Sequence, residues 1–342
     1  MTYETPQGLC VYGTAYQPRT TGHISLADLA ALAREAEKSG FDGLLTFYDH
    51  HNHDPWTMAA AMLQHTERLA PLVAVQPYAA PPFTTAKAIH SLSSLYGRRL
   101  DLNLIVGSSP TELSQVGDTT PHDARYERAA EYMDVVSHLL RSDEPLDHDG
   151  THYHYRQLQV FSRTAEALLP RVFVAGSSEA SRSVALKVGD VSVTHPEPVS
   201  DFAVEFARWH DKGLELGVRF GLLARTTDAE AWEAARAAYP VGRAAHIETV
   251  FKRRSESEWS RRLAHLATDG DLYDEVYWTG LYRSGKAAAP LLVGSYERVA
   301  EYLERYLSLG IRTLLLSQVH TREDFRHASR VLSLLRTTRT RT

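Results

Sequence analysis

The chain of 342 residues carries 37 Lys and Arg against 42 Asp and Glu, a formal charge of -5, with 43% hydrophobic and 23% charged residues. These are the proportions of a soluble globular protein with a sizeable core, and the slight acidity excludes a broad attraction to nucleic acid or to an anionic membrane. Cys10 is the one cysteine, which excludes an internal disulfide; with a start, "MTYETPQGLC", that is neither basic nor apolar, and no stretch near the ~20 apolar residues of a membrane span, a cytoplasmic protein is expected.

In chain order, β-rich runs alternate with amphipathic helical patterns. The expected strands are "LCVYG" (9 to 13), "GLLTF" (43 to 47), "LVAVQ" (72 to 76), "LDLNLIVG" (100 to 107), "RVFVAG" (171 to 176), "DVSVT" (190 to 194), "RFGLLA" (219 to 224) and "RTLLLS" (312 to 317). A helical segment follows each one. The clearest, "SLADLAALAREAEKSG", sets Leu26, Leu29, Ala30, Ala33 and Ala36 on one stripe with Gly40 as its stop. Eight strands in strict alternation with eight helices predict an α/β chain closed as a (β/α)8 TIM barrel.

No linker divides residues 1 to 342, so one domain is expected, with insertions at about 143 to 170 and 240 to 290. Long excursions from a compact domain are usually lids or binding loops. In the second, "FKRRSESEWSRRLAHL" reads equally well as an oligomer contact. "GLYRSGKAAAP" reads as a mobile flap near 280 to 290 that brings Arg283 over the barrel mouth.

The segment "TFYDHHNHDPW" leaves strand two with His50, His51 and His53 bracketed by Asp49 and Asp54. Barrel chemistry gathers at the strands' C-terminal ends, so this cluster belongs to the functional rim. A His-x-His pair beside carboxylates is metal-ligand vocabulary, yet a metal-dependent hydrolase needs further ligands from later strands. Strand four ends near Asn103 with no lysine to bridge metals, strand five ends in "GSSE", and strand eight ends in "SQVH" with no aspartate. His195 and His320 remain as distant imidazoles. The reading is therefore of polar rim residues with no metal, at least one of them facing the pocket.

Three other rim segments predict an anion site. "NLIVGSSPTEL" passes through Gly107, Ser108 and Ser109 into a helix; "HDARYERA" opens a helix with His122, Arg125 and Tyr126; "AGSSEAS" enters one through Gly176, Ser177 and Ser178. Glycine followed by hydroxyls at a helix N-terminus presents free N–H groups and a favourable dipole to an anion.

The ordered blocks "NLIVGSSPTEL", "HDARYERAAEY", "RVFVAGSSEAS", "VTHPEP" and "VGSYERVAEYLERYLSLGIRTLLLS" closely resemble the bacterial luciferase-like flavin monooxygenases, and within them are most similar to the alkanesulfonate monooxygenase branch. The resemblance covers nearly the whole chain and is weakest over residues 225 to 280. It implies a TIM barrel that takes reduced FMN (FMNH2) from a separate NAD(P)H:FMN reductase, reacts it with O2 to a C4a-(hydro)peroxyflavin, and assembles as a homodimer or homotetramer. By the same resemblance Asn103 and Val106 lie near the flavin, His122 and Tyr126 near its phosphate, Ser177 and Ser178 hold that phosphate, and Arg283 belongs to the closing loop. Gln76 and His320 resemble polar pocket residues of the long-chain alkane monooxygenases. Gln76 and Asn103 are expected to position ring and peroxide, and one of His51, His53 or His320 to handle the proton.

The sulfonate-specific residues depart from the branch. An arginine and a histidine are absent from inside strand seven as read, with Arg225 too late to replace the first; Val319 stands near the tyrosine after strand eight, and Asn52 near the cysteine after strand two. The substrate is accordingly left as an alkanesulfonate or an aromatic, amino-acid-like or carrier-tethered intermediate of specialised metabolism. A deazaflavin-dependent hydride-transfer enzyme on the same barrel, an idle flavin-binding barrel and a metal-dependent hydrolase are the alternatives.

Overall fold

The computed structural model describes residues 8–15, 24–107, 109–160, 162–240 and 257–339. Eight strands form its centre: β1 (Cys10–Thr14), β2 (Gly43–Thr46), β3 (Ala70–Val75), β4 (Asp101–Leu104), β5 (Val172–Ala175), β6 (Val191–Thr194), β7 (Leu216–Arg225) and β8 (Thr313–Ser317). Each pairs in parallel with the next, and β8 returns to β1 with Cys10 opposite Thr313. The sheet is thus closed into the expected barrel. Every residue of β3, "APLVAV", is buried, as for a parallel strand covered on both faces, where apolar residues run continuously.

Alternation along the strands separates two apolar layers. Leu44, Val73 and Leu314 join the core beneath the helices, whereas Leu45, Leu72 and Leu315 join Tyr12, Phe173 and Val193 inside the barrel. At the N-terminal end Tyr12 meets Phe173 edge-on at 5.0 Å, and its hydroxyl donates to Asp101 Oδ2 at 2.7 Å. Asp101 also accepts from the Arg171 N–H and pairs with Arg99. Burial pushes its carboxyl upward against the pull of Arg99. This polar plug closes one end of the barrel and leaves the other for chemistry.

The helical ring consists of α1 (Leu26–Lys38), α2 (Pro55–His65), α3 (Pro82–Tyr96), α4 (His122–Arg141), α5 (Glu179–Val188), α6 (Val199–His210), α7 (Tyr296–Leu309) and α8 (Arg322–Arg339). The predicted stripe of α1 is buried at Leu29, Ala30, Ala33 and Ala36, and Ser25 caps the helix by accepting from the Asp28 N–H. The ring's seventh place is filled by α7, packed between α6 and α8. The helix that directly follows β7, Asp228–Ala238, lies instead on the upper part of β7.

That arrangement explains the length of β7. Its first half pairs with β6 and β8; its second half carries an extra parallel strand, Leu291–Ser295, with Leu291 opposite Gly221 and Ser295 opposite Arg225. The earlier insertion is a hairpin, Leu146–Asp149 with His154–Leu158. Glu131 of α4 pins it, accepting from His148 Nε2 at 3.0 Å and from the N–H groups of Thr151, His152 and Tyr153. In the second insertion, helix Glu258–Asp269 buries Leu263, Ala264 and Ala267 against Tyr282. Residues 251–256 of the basic tract lie outside the described residues, as does Ser108. Among the described residues no helix is long and apolar enough to cross a membrane.

Candidate active site

A cavity of about 380 Å³ opens at the C-terminal ends of the strands. Its size suits a small-molecule or cofactor site, and its wall divides into three sectors of different chemistry.

The first is an anion cradle. Gly176, Ser177 and Ser178 leave β5 and start α5, and Tyr126 and His122 of α4 line the same wall. Gly176 has φ +147°, and a Cβ there would lie 2.7 Å from Ser181 Cβ and 2.8 Å from the Tyr126 hydroxyl, so the turn admits glycine only. Ser178 caps α5 by accepting from the Ser181 N–H at 3.2 Å, while the Ser177 hydroxyl is buried with no partner. Burial raises the Tyr126 phenol, opposed by hydrogen bonds to Ser178 and Ser181, so it stays a neutral donor. His122 lies edge-on to Tyr126 at 5.2 Å. Arg125 turns its Nη1 to the Thr120 carbonyl at 2.9 Å and does not line the cavity.

The second sector is apolar with two amides. Leu45, Ala74, Val106 and Val193 form its walls, with Asn103 at the end of β4 and Gln76 just beyond β3. Gln76 Oε1 is buried without a partner. A buried acceptor left open in this way awaits a ligand donor, because desolvating it unpaired costs about 1–3 kcal/mol.

The third sector is basic, and the sequence reading missed it. β7 begins at Leu216, three residues before the expected start, so Arg219 stands inside the strand and lines the cavity; the expectation that strand seven holds no arginine is corrected. Its guanidinium lies over the Phe47 ring at 5.2 Å, its Nε is buried without a partner, and no described carboxylate pairs with it. Burial pulls it down to about 10, so it remains charged at neutral pH. His195 is its neighbour across the sheet, because Thr194 of β6 is in register with Val218 of β7. The His195 ring stacks on Trp259 at 3.9 Å. Burial, reinforced by the Arg219 charge, holds this imidazole well below its usual range and hence neutral.

Gln76, Asn103, Val106, His122, Tyr126, Ser177 and Ser178 therefore meet on one cavity, whereas His51, His53, His320 and Arg283 are not brought to it. The loop after β2 turns on Asp49, which accepts from the N–H groups of His51 and Asn52 and lines the cavity in place of the imidazoles. His50 bonds Gln115 Oε1 at 2.9 Å, and His53 bonds the Ile24 carbonyl at 3.3 Å. Among the described residues no group of three or more His, Cys, Asp or Glu converges as metal ligands. His320 faces a separate cleft beside α1 with Asp28 and Arg322, where burial lowers it to about 4. Arg283 ends a helical turn, Gly280–Arg283, held by buried Leu281 and Tyr282, and binds Asp271 Oδ1 at 2.5 Å.

A closed parallel barrel whose open end joins an anion cradle to an apolar slot defines a cofactor-binding enzyme of the α/β barrel class. The family model described as luciferase-like monooxygenase matches residues 8–313, and the chain belongs to that family; it is an enzyme of the flavin-dependent monooxygenase class. A relative from Niallia circulans, 4-(gamma-L-glutamylamino)butanoyl-[BtrI acyl-carrier protein] monooxygenase BtrO, is 40% identical over 302 residues, 88% of this chain and 89% of that one. Among solved structures, riboflavin lyase RcaE has a TM-score of 0.78 at 18% identity, covering 97% of this chain and 92% of its own. DmoA from Hyphomicrobium sulfonivorans has a TM-score of 0.76 at 15% identity, covering 97% and 89%. These likenesses are of fold.

Proposed function

We propose that the chain is the oxygenase of a two-component system that receives reduced FMN from a separate NAD(P)H:FMN reductase and uses dioxygen to oxygenate an acyl group held as a thioester on a carrier protein. The observation that carries this reading is the two-ended cavity, with a cradle for a dianion at α5 and, in the wall with β7, a cation, Arg219, that no carboxylate among the described residues pairs. The acyl-carrier substrate named for the Niallia circulans relative supports the choice of an acyl thioester.

The cavity fits FMN on its own features. The backbone at Gly176 leaves no room for a Cβ, and the free Ser177 hydroxyl joins the Tyr126 phenol and the α5 N-terminus as donors to a phosphate. Each bond to the charged group is worth about 1.5–3 kcal/mol. Gln76 Oε1, buried without a partner, would accept from a flavin N–H, and Asn103 would offer both donor and acceptor at the adjoining strand end. Leu45, Ala74 and Val106 line the cavity and would exclude water from a bound flavin. Reduced FMN, when bound, supplies the electrons that activate dioxygen. Arg219 then holds a substrate oxygen atom, and Trp259 with Phe47 shields the reacting space.

The test is turnover with chemically reduced FMN, labelled dioxygen and 4-(γ-L-glutamylamino)butanoyl thioester on a carrier protein. Gain of one labelled oxygen in the acyl group is expected. Sulfite release from an alkanesulfonate without acyl oxygenation, or hydride transfer from a reduced deazaflavin without oxygen uptake, would replace this reading.

A further inference from the structure

His195 has no place in the flavin cradle, yet its surroundings define its chemistry. Nδ1 is buried and makes no hydrogen bond. The ring's polar contact is with the Arg219 backbone, and Nδ1 is the nitrogen left without a partner. A neutral imidazole that donates through Nε2 keeps its lone pair on Nδ1. Stacking on Trp259 and the strand register fix that ring beside a guanidinium that has no carboxylate partner among the described residues. A fixed lone pair next to such a cation is the arrangement that removes a proton from carbon and holds the negative charge that results.

We infer that His195 is the general base that removes a proton from the carbon next to the thioester carbonyl, with Arg219 stabilising the enolate oxygen. The inference rests on the acyl-thioester reading of the site. In the step the C–H bond breaks, its proton goes to Nδ1, and its electron pair becomes the enolate, with charge on the thioester oxygen facing Arg219. No electrons enter or leave. The burial that disfavours a lone imidazolium is offset once the enolate anion forms between the two cations. The product is a nucleophilic carbon next to the carbonyl, the position at which an oxygen atom would then be accepted.

The experiment is exchange in D2O, followed by mass spectrometry and proton NMR. The protein, with and without oxidised FMN and free of reductant, is incubated with the pantetheine thioester of 4-(γ-L-glutamylamino)butanoate. Protein-dependent incorporation of deuterium at carbon 2 is expected, falling by about 100-fold or more in His195→Gln. Arg219→Met should slow exchange as well, with FMN affinity unchanged and a cooperative thermal unfolding retained in both variants. For a base that returns its proton without releasing it to solvent, single-turnover oxygenation of the 2,2-dideuterated thioester gives a primary isotope effect. Wild-type exchange in His195→Gln, or neither exchange nor isotope effect in the wild-type protein, overturns the assignment. Exchange without oxygenation keeps the base and refutes the oxygenase reading; oxygenation with neither exchange nor isotope effect does the reverse.

Discussion

Replacing Gly176 by alanine tests the anion cradle at its tightest point. The residue sits at φ +147°, where a side chain adds about 1–3 kcal/mol of backbone strain. The new Cβ would stand 2.7 Å from Ser181 Cβ and 2.8 Å from both Ser181 Oγ and the Tyr126 hydroxyl. None of these is the free end of a long flexible chain, so the first turn of α5 must move by several tenths of an ångström. Ser177 and Ser178 move with it. Losing one charge-assisted bond to a phosphate removes about 1.5–3 kcal/mol, or roughly 10- to 100-fold in affinity. Titration of the variant with FMN, followed by quenching of flavin fluorescence, should show that weakening, with thermal unfolding a few degrees lower. Riboflavin, which has no phosphate, should lose much less. An alanine variant that binds FMN as the wild type does would refute the cradle.

Three further outcomes follow from other sites. His320 titrates near 4 in the folded chain against 6.5 when exposed, so its stabilising share is complete above 6.5 and is lost as pH falls toward 4; this amounts to about 3 kcal/mol, and His320→Gln should flatten that limb of a urea-unfolding pH series. Arg283→Ala should lower stability by at most about 1 kcal/mol and leave oxygenation unchanged, since the ion pair with Asp271 is partly exposed; a large loss of turnover would instead show that this turn moves over the cavity. Glu131→Ala removes the acceptor of three backbone N–H groups and should cost about 2–3 kcal/mol. Hydrogen exchange in that variant should quicken over Leu146–Leu158 and not in β1 to β4.

The barrel was legible because strands buried on both faces appear as short apolar runs with clear ends. The cradle could be read as an expectation because three such helix starts fall on one rim, whereas each alone is ordinary capping, as Ser178 provides for α5. Arg219 was overlooked for a physical reason: "RFGLLA" places it at a strand's edge, and only Leu216 and Val218, both buried before it, show that the strand already runs there. His195 was set aside as distant, although neighbouring strands of a parallel sheet bring residues far apart in sequence into register. The strand Leu291–Ser295 was not expected either, because its pairing with the upper half of β7 lies outside the ring of eight. The histidines after β2 drew attention by composition, whereas Asp49 decides by its backbone bonds which side chains of that loop face inward.

The pairing of Arg225 with Ser295 has a consequence for how such enzymes diversify. The chain leaves the barrel at the first of these positions and returns beside it at the second, so the two ends of the excursion are clasped together. Lengthening or exchanging that excursion adds little closure entropy, which grows only with the logarithm of its length, and leaves the eight-strand ring untouched. Because the excursion delivers Trp259 to the reacting space, one scaffold can be refitted to new substrates by rewriting a segment whose two ends are already tied together.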